Sequence, residues 1–152
     1  MEKIVFATPE ALKARIGEEI YVDDWQQVPQ PRIDEFAHAT GDVSWIHIDT
    51  ERAKQASPYG GTVAHGMLTL TIASYSINCM SYPWSKVGAY YGIDRVRFLA
   101  PVPSGGRIRT RGTLAGVTVV DKGLRIGWRL TVELEGSDQP VCVADIISMQ
   151  FL

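Results

Sequence analysis

Asp42 and His47 lie five positions apart in the stretch Gly41-Asp42-Val43-Ser44-Trp45-Ile46-His47-Ile48-Asp49. A carboxylate and an imidazole are side chains suited to holding a water and moving its protons near neutral pH. Eighteen residues after His47 comes His65-Gly66-Met67-Leu68, the start of a long, almost uncharged segment. A helix opening there presents free N–H groups and the positive end of its dipole, which favour negative charge on a nearby oxygen. Taken singly, an Asp after a helix-closing Gly is a turn or cap residue, and a lone His in an apolar loop is structural. Their combination points to acid–base chemistry on a small molecule.

The elements that must position these groups belong to one chain of 152 residues, 45% hydrophobic, enough for a single globular domain over 1–152 with a substantial core. A net charge of -2 with mixed signs offers no electrostatic footprint for nucleic acid or an anionic membrane. Cys79 and Cys142 lack metal-ligand spacing and fall in apolar surroundings, as expected of reduced, buried thiols in a cytoplasmic protein. Met1-Glu2-Lys3-Ile4-Val5-Phe6 runs into a polar helix and lacks the apolar core of a signal peptide.

Thr8-Pro9-Glu10 is a helix start, a hydroxyl cap followed by proline and an acid, and Gly17 ends that helix. Ile20 to Val28 is expected to be a strand, with Ile20 and Val22 on one face and Tyr21 and Trp25 breaking the alternation. Arg32 to Thr40 carries Ile33, Phe36, Ala37 and Thr40 on one helical face, closed by Gly41, so Asp42 opens a loop. A second short helix covers Thr50 to Ala56, capped by Asp49 or Thr50. No Asp, Glu, Lys or Arg occurs from Gln55 through Ser85, and His65 to Met80 is apolar on nearly every face. Such a helix is expected to be buried all round. Thr69, Thr71, Ser74, Ser76 and Asn78 interrupt it too often for a membrane span. Val87 to Leu99, Arg107 to Val120, Leu124 to Glu135 and Val141 to Phe151 read as strands joined by short Gly- and Pro-containing turns. The expected fold is α+β, an antiparallel sheet wrapped around a long central helix.

Gly41-Asp42-x-x-x-x-His47, then Val63-Ala64-His65-Gly66-Met67-Leu68, then Val96-Arg97-Phe98-x-x-Pro101-Val102 resembles the MaoC-like, (R)-specific enoyl-CoA hydratase family of hotdog proteins, in the branch related to nodulation protein N. The resemblance covers nearly the whole chain. Where the family motif has Asn-Pro between acid and histidine, this chain has Ser44-Trp45, with Trp45 a candidate to replace the proline's rigidity by packing.

The resemblance implies that Asp42 and His47 act jointly as the acid–base pair on one water, and that the backbone N–H of Gly66 serves the thioester oxygen. A glycine that merely permits a tight turn is the plainer reading of that position. Ser74 corresponds to a serine that in related hydratases hydrogen-bonds the catalytic acid. A serine inside a buried helix is otherwise satisfied by a carbonyl one turn back. Ser44 is a second candidate for support, and His65 is expected to fix the helix start. Arg107, Arg109 and Arg111 share a strand face that either meets coenzyme A phosphates or is simply solvated. Trp84, Tyr75, Tyr90 and Tyr91 are core or interface aromatics, one of which could line an acyl tunnel. The implied activity interconverts trans-2-enoyl and (R)-3-hydroxyacyl thioesters, with coenzyme A or acyl carrier protein as the handle, no metal or other cofactor, and a homodimeric assembly. The rivals are an acyl-CoA thioesterase on the same fold and a non-catalytic acyl-thioester-binding protein. Hotdog thioesterases typically carry an acid on the central helix, which this chain lacks between Gln55 and Ser85.

Overall fold

The strict alternation after Leu124 builds the middle of the sheet. In a computed structural model, which describes residues 3–152, Ile126, Trp128, Leu130 and Val132 all turn inward and are essentially fully buried. Met1 and Glu2, at the head of the N-terminal stretch considered above, lie outside the described residues. In chain order the elements are β1 (Ile4–Val5), α1 (Pro9–Lys13), β2 (Glu19–Val22), β3 (Gln26–Gln27), α2 (Gln30–Thr40), α3 (Trp45–Ile48), α4 (Thr50–Ala56), α5 (Gly66–Tyr75), β4 (Met80–Ser81), β5 (Val87–Phe98), β6 (Arg107–Val120), β7 (Gly123–Leu134) and β8 (Cys142–Phe151). A six-stranded antiparallel sheet runs β2-β6-β7-β8-β5, with β3 also on β6, while β1 and β4 form a small parallel pair. The sheet closes over α5 through Leu68, Leu70, Ile72 and Ala73, in the hotdog arrangement. No helix among the described residues is long and apolar enough to cross a membrane.

Local chemistry explains most boundaries. Thr8 caps α1 by accepting from Ala11 N, with Pro9 in the first turn. Pro31 opens α2, and Gly41 closes it in the left-handed conformation at φ 79°. Asp49 caps α4 by accepting from Arg52 N at 3.0 Å.

Three expectations need correction. The single strand over Ile20 to Val28 is two short ones, interrupted at residues 23–25, and a bulge between Glu19 and Tyr21 turns Ile20 and Tyr21 both inward. The Tyr21 ring occupies the space over Gly112, where an added Cβ would lie 2.0 Å from it. Asp23 follows Tyr21 inside and accepts from the Ser76 hydroxyl, and its burial pushes the carboxyl above its ordinary range. Second, the central helix ends at Tyr75 and continues as a 3-10 turn over Ser76–Cys79. Third, α5 is not buried all round. Met67 and Tyr75 are 55% and 74% exposed, with Thr71 exposed between them. These positions, spaced by four, form one stripe that the sheet leaves open.

Cys142 is buried and Cys79 half-buried; both are unpaired, and burial pushes the Cys142 thiol up to about 11. Arg107, Arg109 and Arg111 are engaged by Glu135, Glu133 and Glu19, which is the solvated-face reading of that row. Trp84 donates to Phe6 O at 2.9 Å and packs on the core, a structural role.

Candidate active site

His47 lies on α3, a single helical turn in the stretch expected to be a loop. That turn starts when Ser44 O accepts from His47 N at 2.9 Å. The exposed Ser44 contributes this carbonyl, while its hydroxyl makes no capping bond. Trp45 is half-buried and stacks under the Arg52 guanidinium of α4 at 4.4 Å, which braces the turn by packing. Gln30 reaches from the first turn of α2 to donate to His47 O at 2.7 Å.

The imidazole is oriented as firmly as the backbone. Nδ1 of His47 lies 2.7 Å from Val63 O. A carbonyl only accepts, so Nδ1 carries a proton, and in the neutral ring Nε2 is the nitrogen with the lone pair. His65 is 3% exposed, and its Nε2 lies 2.9 Å from Asp42 O, so by the same logic Nε2–H donates. His65 is sandwiched between Phe36, at 5.1 Å, and His47, on which it stacks at 3.8 Å. His65 thus fixes its place before the helix by a hydrogen bond, though not as a cap. It precedes α5 but makes no side-chain cap; its ring turns back to clasp the Asp42 loop. That leaves the first N–H groups of α5 without a side-chain acceptor.

Asp42 itself is 58% exposed at its side chain. One of its carboxylate oxygens and one nitrogen from each imidazole lie within 4.8 Å of one another. Two hydrogen bonds of about 2.8 Å meeting at a water's tetrahedral angle span roughly 4.6 Å, so groups clustered this closely are within reach of a single water. The trio also has the residue types of a metal centre. Its geometry opposes one: the two rings lie face to face with planes 26° apart, so their in-plane lone pairs do not converge, and His65 Nε2 is already donating.

His47 and Gly66 open on one cavity of about 350 Å³, lined also by Thr69 and by an apolar wall including Ile46, Val63, Phe98 and Val102. Gly66 is not among the glycines with positive φ. Its missing side chain is a matter of space: an added Cβ would lie 3.0 Å from the Phe98 ring. Gly66→Ala is accordingly expected to leave thermal stability essentially unchanged. A gain in helix propensity of about 1 kcal/mol offsets the displaced Phe98 ring. Catalytic efficiency should fall roughly 10- to 100-fold, the range for one misplaced methyl in a shaped site. Melting curves beside steady-state kinetics check both parts, and a destabilised variant with normal kinetics would return the residue to a purely structural role.

Ser74 is not brought to the acid–base pair. Its hydroxyl donates to Leu70 O one turn back, at 2.8 Å, and its own carbonyl accepts from the Tyr90 hydroxyl. It lines a different cavity of about 470 Å³, along the open stripe of α5 with Met67, Tyr75, Tyr90 and Tyr91. Thr69, one turn after Gly66, lines the cavity beside His47, and its hydroxyl donates to His65 O at 3.4 Å. Gln30 and Thr62 also went unforeseen, since their partners are distant in sequence.

The model of the MaoC like domain matches residues 11–133. A 3-hydroxyacyl-thioester dehydratase Z from Mycobacterium tuberculosis is 42% identical over 138 residues, covering 90% of this chain and 91% of the relative. Nodulation protein N from Rhizobium leguminosarum bv. viciae is 39% identical over 140 residues, covering 90% and 86%. Among solved structures, a monoamine oxidase regulatory protein from Archaeoglobus fulgidus superposes with a TM-score of 0.81 at 26% identity, covering 99% of this chain and 98% of that one.

Proposed function

The chain belongs to the MaoC-like family, and from that premise we propose that it adds water to trans-2-enoyl thioesters and removes it from (R)-3-hydroxyacyl thioesters. The observation that carries this reading is the clustering of the Asp42 carboxylate with the His47 imidazole, whose Nδ1 is tied to Val63 O, beside the cavity that His47 and Gly66 line. Water held by the pair loses a proton as its oxygen bonds to C3. The C2 carbon gains a proton from the same pair, and the enolate-like charge on the thioester oxygen meets the N–H of Gly66. Dehydration runs these steps backwards.

The apolar wall of the cavity fits an acyl chain or the pantetheine arm of coenzyme A or acyl carrier protein, and the chemistry needs no metal or redox cofactor. Hydrolysis is disfavoured, because α5 offers no carboxylate to attack the carbonyl carbon. A homodimer is part of the proposal. Edge strand β5 is exposed along most of its length and the stripe of α5 beside it is open, both of which a second copy would cover. The chemistry and the unpaired thiols suit the cytoplasm.

Incubation with a short trans-2-enoyl-CoA tests the reading. The absorbance of the conjugated thioester should disappear without release of free thiol. The product should be oxidised by an (R)-3-hydroxyacyl-CoA dehydrogenase and ignored by the (S) enzyme. Stoichiometric free coenzyme A would replace hydration with hydrolysis, and binding without turnover would favour a non-catalytic role.

A further inference from the structure

Gln30 makes three hydrogen bonds with one amide, and they link the three segments that surround His47. Its Nε2 donates to His47 O at 2.7 Å and to Asp34 Oδ1 at 2.7 Å, and its Oε1 accepts from Thr62 Oγ1 at 2.6 Å. The amide cannot be turned the other way, because His47 O only accepts and must face the NH₂ group. Thr62 is buried at 6% exposure, and its own carbonyl accepts from Ser104 N at 2.9 Å. The next residue, Val63, donates its N–H to Ile46 O at 3.1 Å and offers the carbonyl that receives His47 Nδ1–H. Gln30 thus grips the histidine's main chain on one side and the strand-like segment that fixes the imidazole's tautomer on the other.

We infer that Gln30 is a positioning residue for His47: its amide holds the short α3 turn and the Thr62–Val63 segment at the spacing that keeps the proton on Nδ1 and aims Nε2 at the shared water. This rests on the reading of His47 as part of the acid–base pair. The need for such a clamp follows from the size of α3. Four residues make one helical turn, which is unstable alone. Ser44 gives it no side-chain cap, and the family's Asn-Pro is replaced by Ser44-Trp45. Trp45 and Arg52 brace the outer side of the turn, and Gln30 braces the side facing α2 and Thr62. A shift of about 1 Å in a reacting group costs on the order of 100-fold in rate. A loosened turn should therefore appear in turnover before it appears in substrate affinity.

The test compares wild type, Gln30→Met, Thr62→Val, Gln30→Met/Thr62→Val and His47→Ala in enoyl-CoA hydration, with ¹⁵N NMR of labelled histidine as a second readout. In Gln30→Met, kcat should fall roughly 10- to 100-fold with KM within about twofold. The His47 ring signals should move from the Nδ1–H tautomer towards a mixture of both. Thr62→Val should lose roughly two- to tenfold, the scale of one neutral hydrogen bond, and the double variant should be no slower than Gln30→Met alone, since the two groups act through one bond. If Gln30→Met does not fold, Thr62→Val carries the same two readouts. Wild-type kcat in the folded variants overturns the proposal, and so does a loss of kcat with unchanged His47 signals. Wild-type-like activity in His47→Ala would instead overturn the acid–base reading, and the NMR comparison would still decide whether Gln30 sets the tautomer.

Discussion

Replacing His47 by alanine is expected to lower kcat by roughly 10²–10⁴, the range for a positioned acid or base. The substitution removes an imidazole that lines the cavity and whose Nδ1 is tied to Val63 O, which leaves Nε2 for the acid–base role. It also leaves Val63 O without its imidazole donor and opens the ring stack on His65, so a loss of about 1 kcal/mol in stability accompanies it. That loss is small beside the kinetic effect. Circular dichroism and a melting curve separate the two, and a folded His47→Ala enzyme with near-normal turnover would remove the residue from the mechanism.

Asp42→Asn is expected to lower kcat by a similar roughly 10²–10⁴ while leaving the fold intact. The side chain is 58% exposed, and the bond that anchors this loop runs from His65 Nε2–H to the Asp42 main-chain carbonyl, which asparagine retains. Only the carboxylate's share of the water is lost. The double variant Asp42→Asn/His47→Ala should be little slower than the worse single variant, because two groups acting on one water do not contribute additively. Multiplying effects would mean that the residues serve separate steps, and an active Asp42→Asn would leave His47 as the only acid–base group.

How far these residues announce themselves depends on the range of the forces involved. The alternation of β7 was legible, because one buried face imposes a period of two that a local window contains, and β6 and β8 were legible to within a residue between their turns. Asp42 and His47 were visible because their spacing, together with His65-Gly66, is itself a local pattern. The open stripe of α5 was not visible: Met67 and Tyr75 are as apolar as their buried neighbours, and whether anything covers them is decided by other elements. The bulge that turns Tyr21 inward depends on the vacant space at Gly112, ninety-one residues later. Ser74 stood at a plausible spacing, yet its hydroxyl is used by the carbonyl of its own helix, a competition always available to a buried serine. Gln30 had no signal at all, since the partners of its amide, Asp34 aside, lie seventeen and thirty-two residues away.

The central claim is that the water shared by Asp42 and His47 attacks C3 and leaves the thioester intact. Turnover of a trans-2-enoyl-CoA in ¹⁸O-labelled water, followed by mass spectrometry of the products, tests it most directly. The predicted result is one heavy oxygen on the C3 hydroxyl of an intact 3-hydroxyacyl-CoA, with the label absent from any carboxylate. Label in the carboxylate of a released, still unsaturated acid would contradict it, placing the water at the carbonyl carbon and making the enzyme a thioesterase.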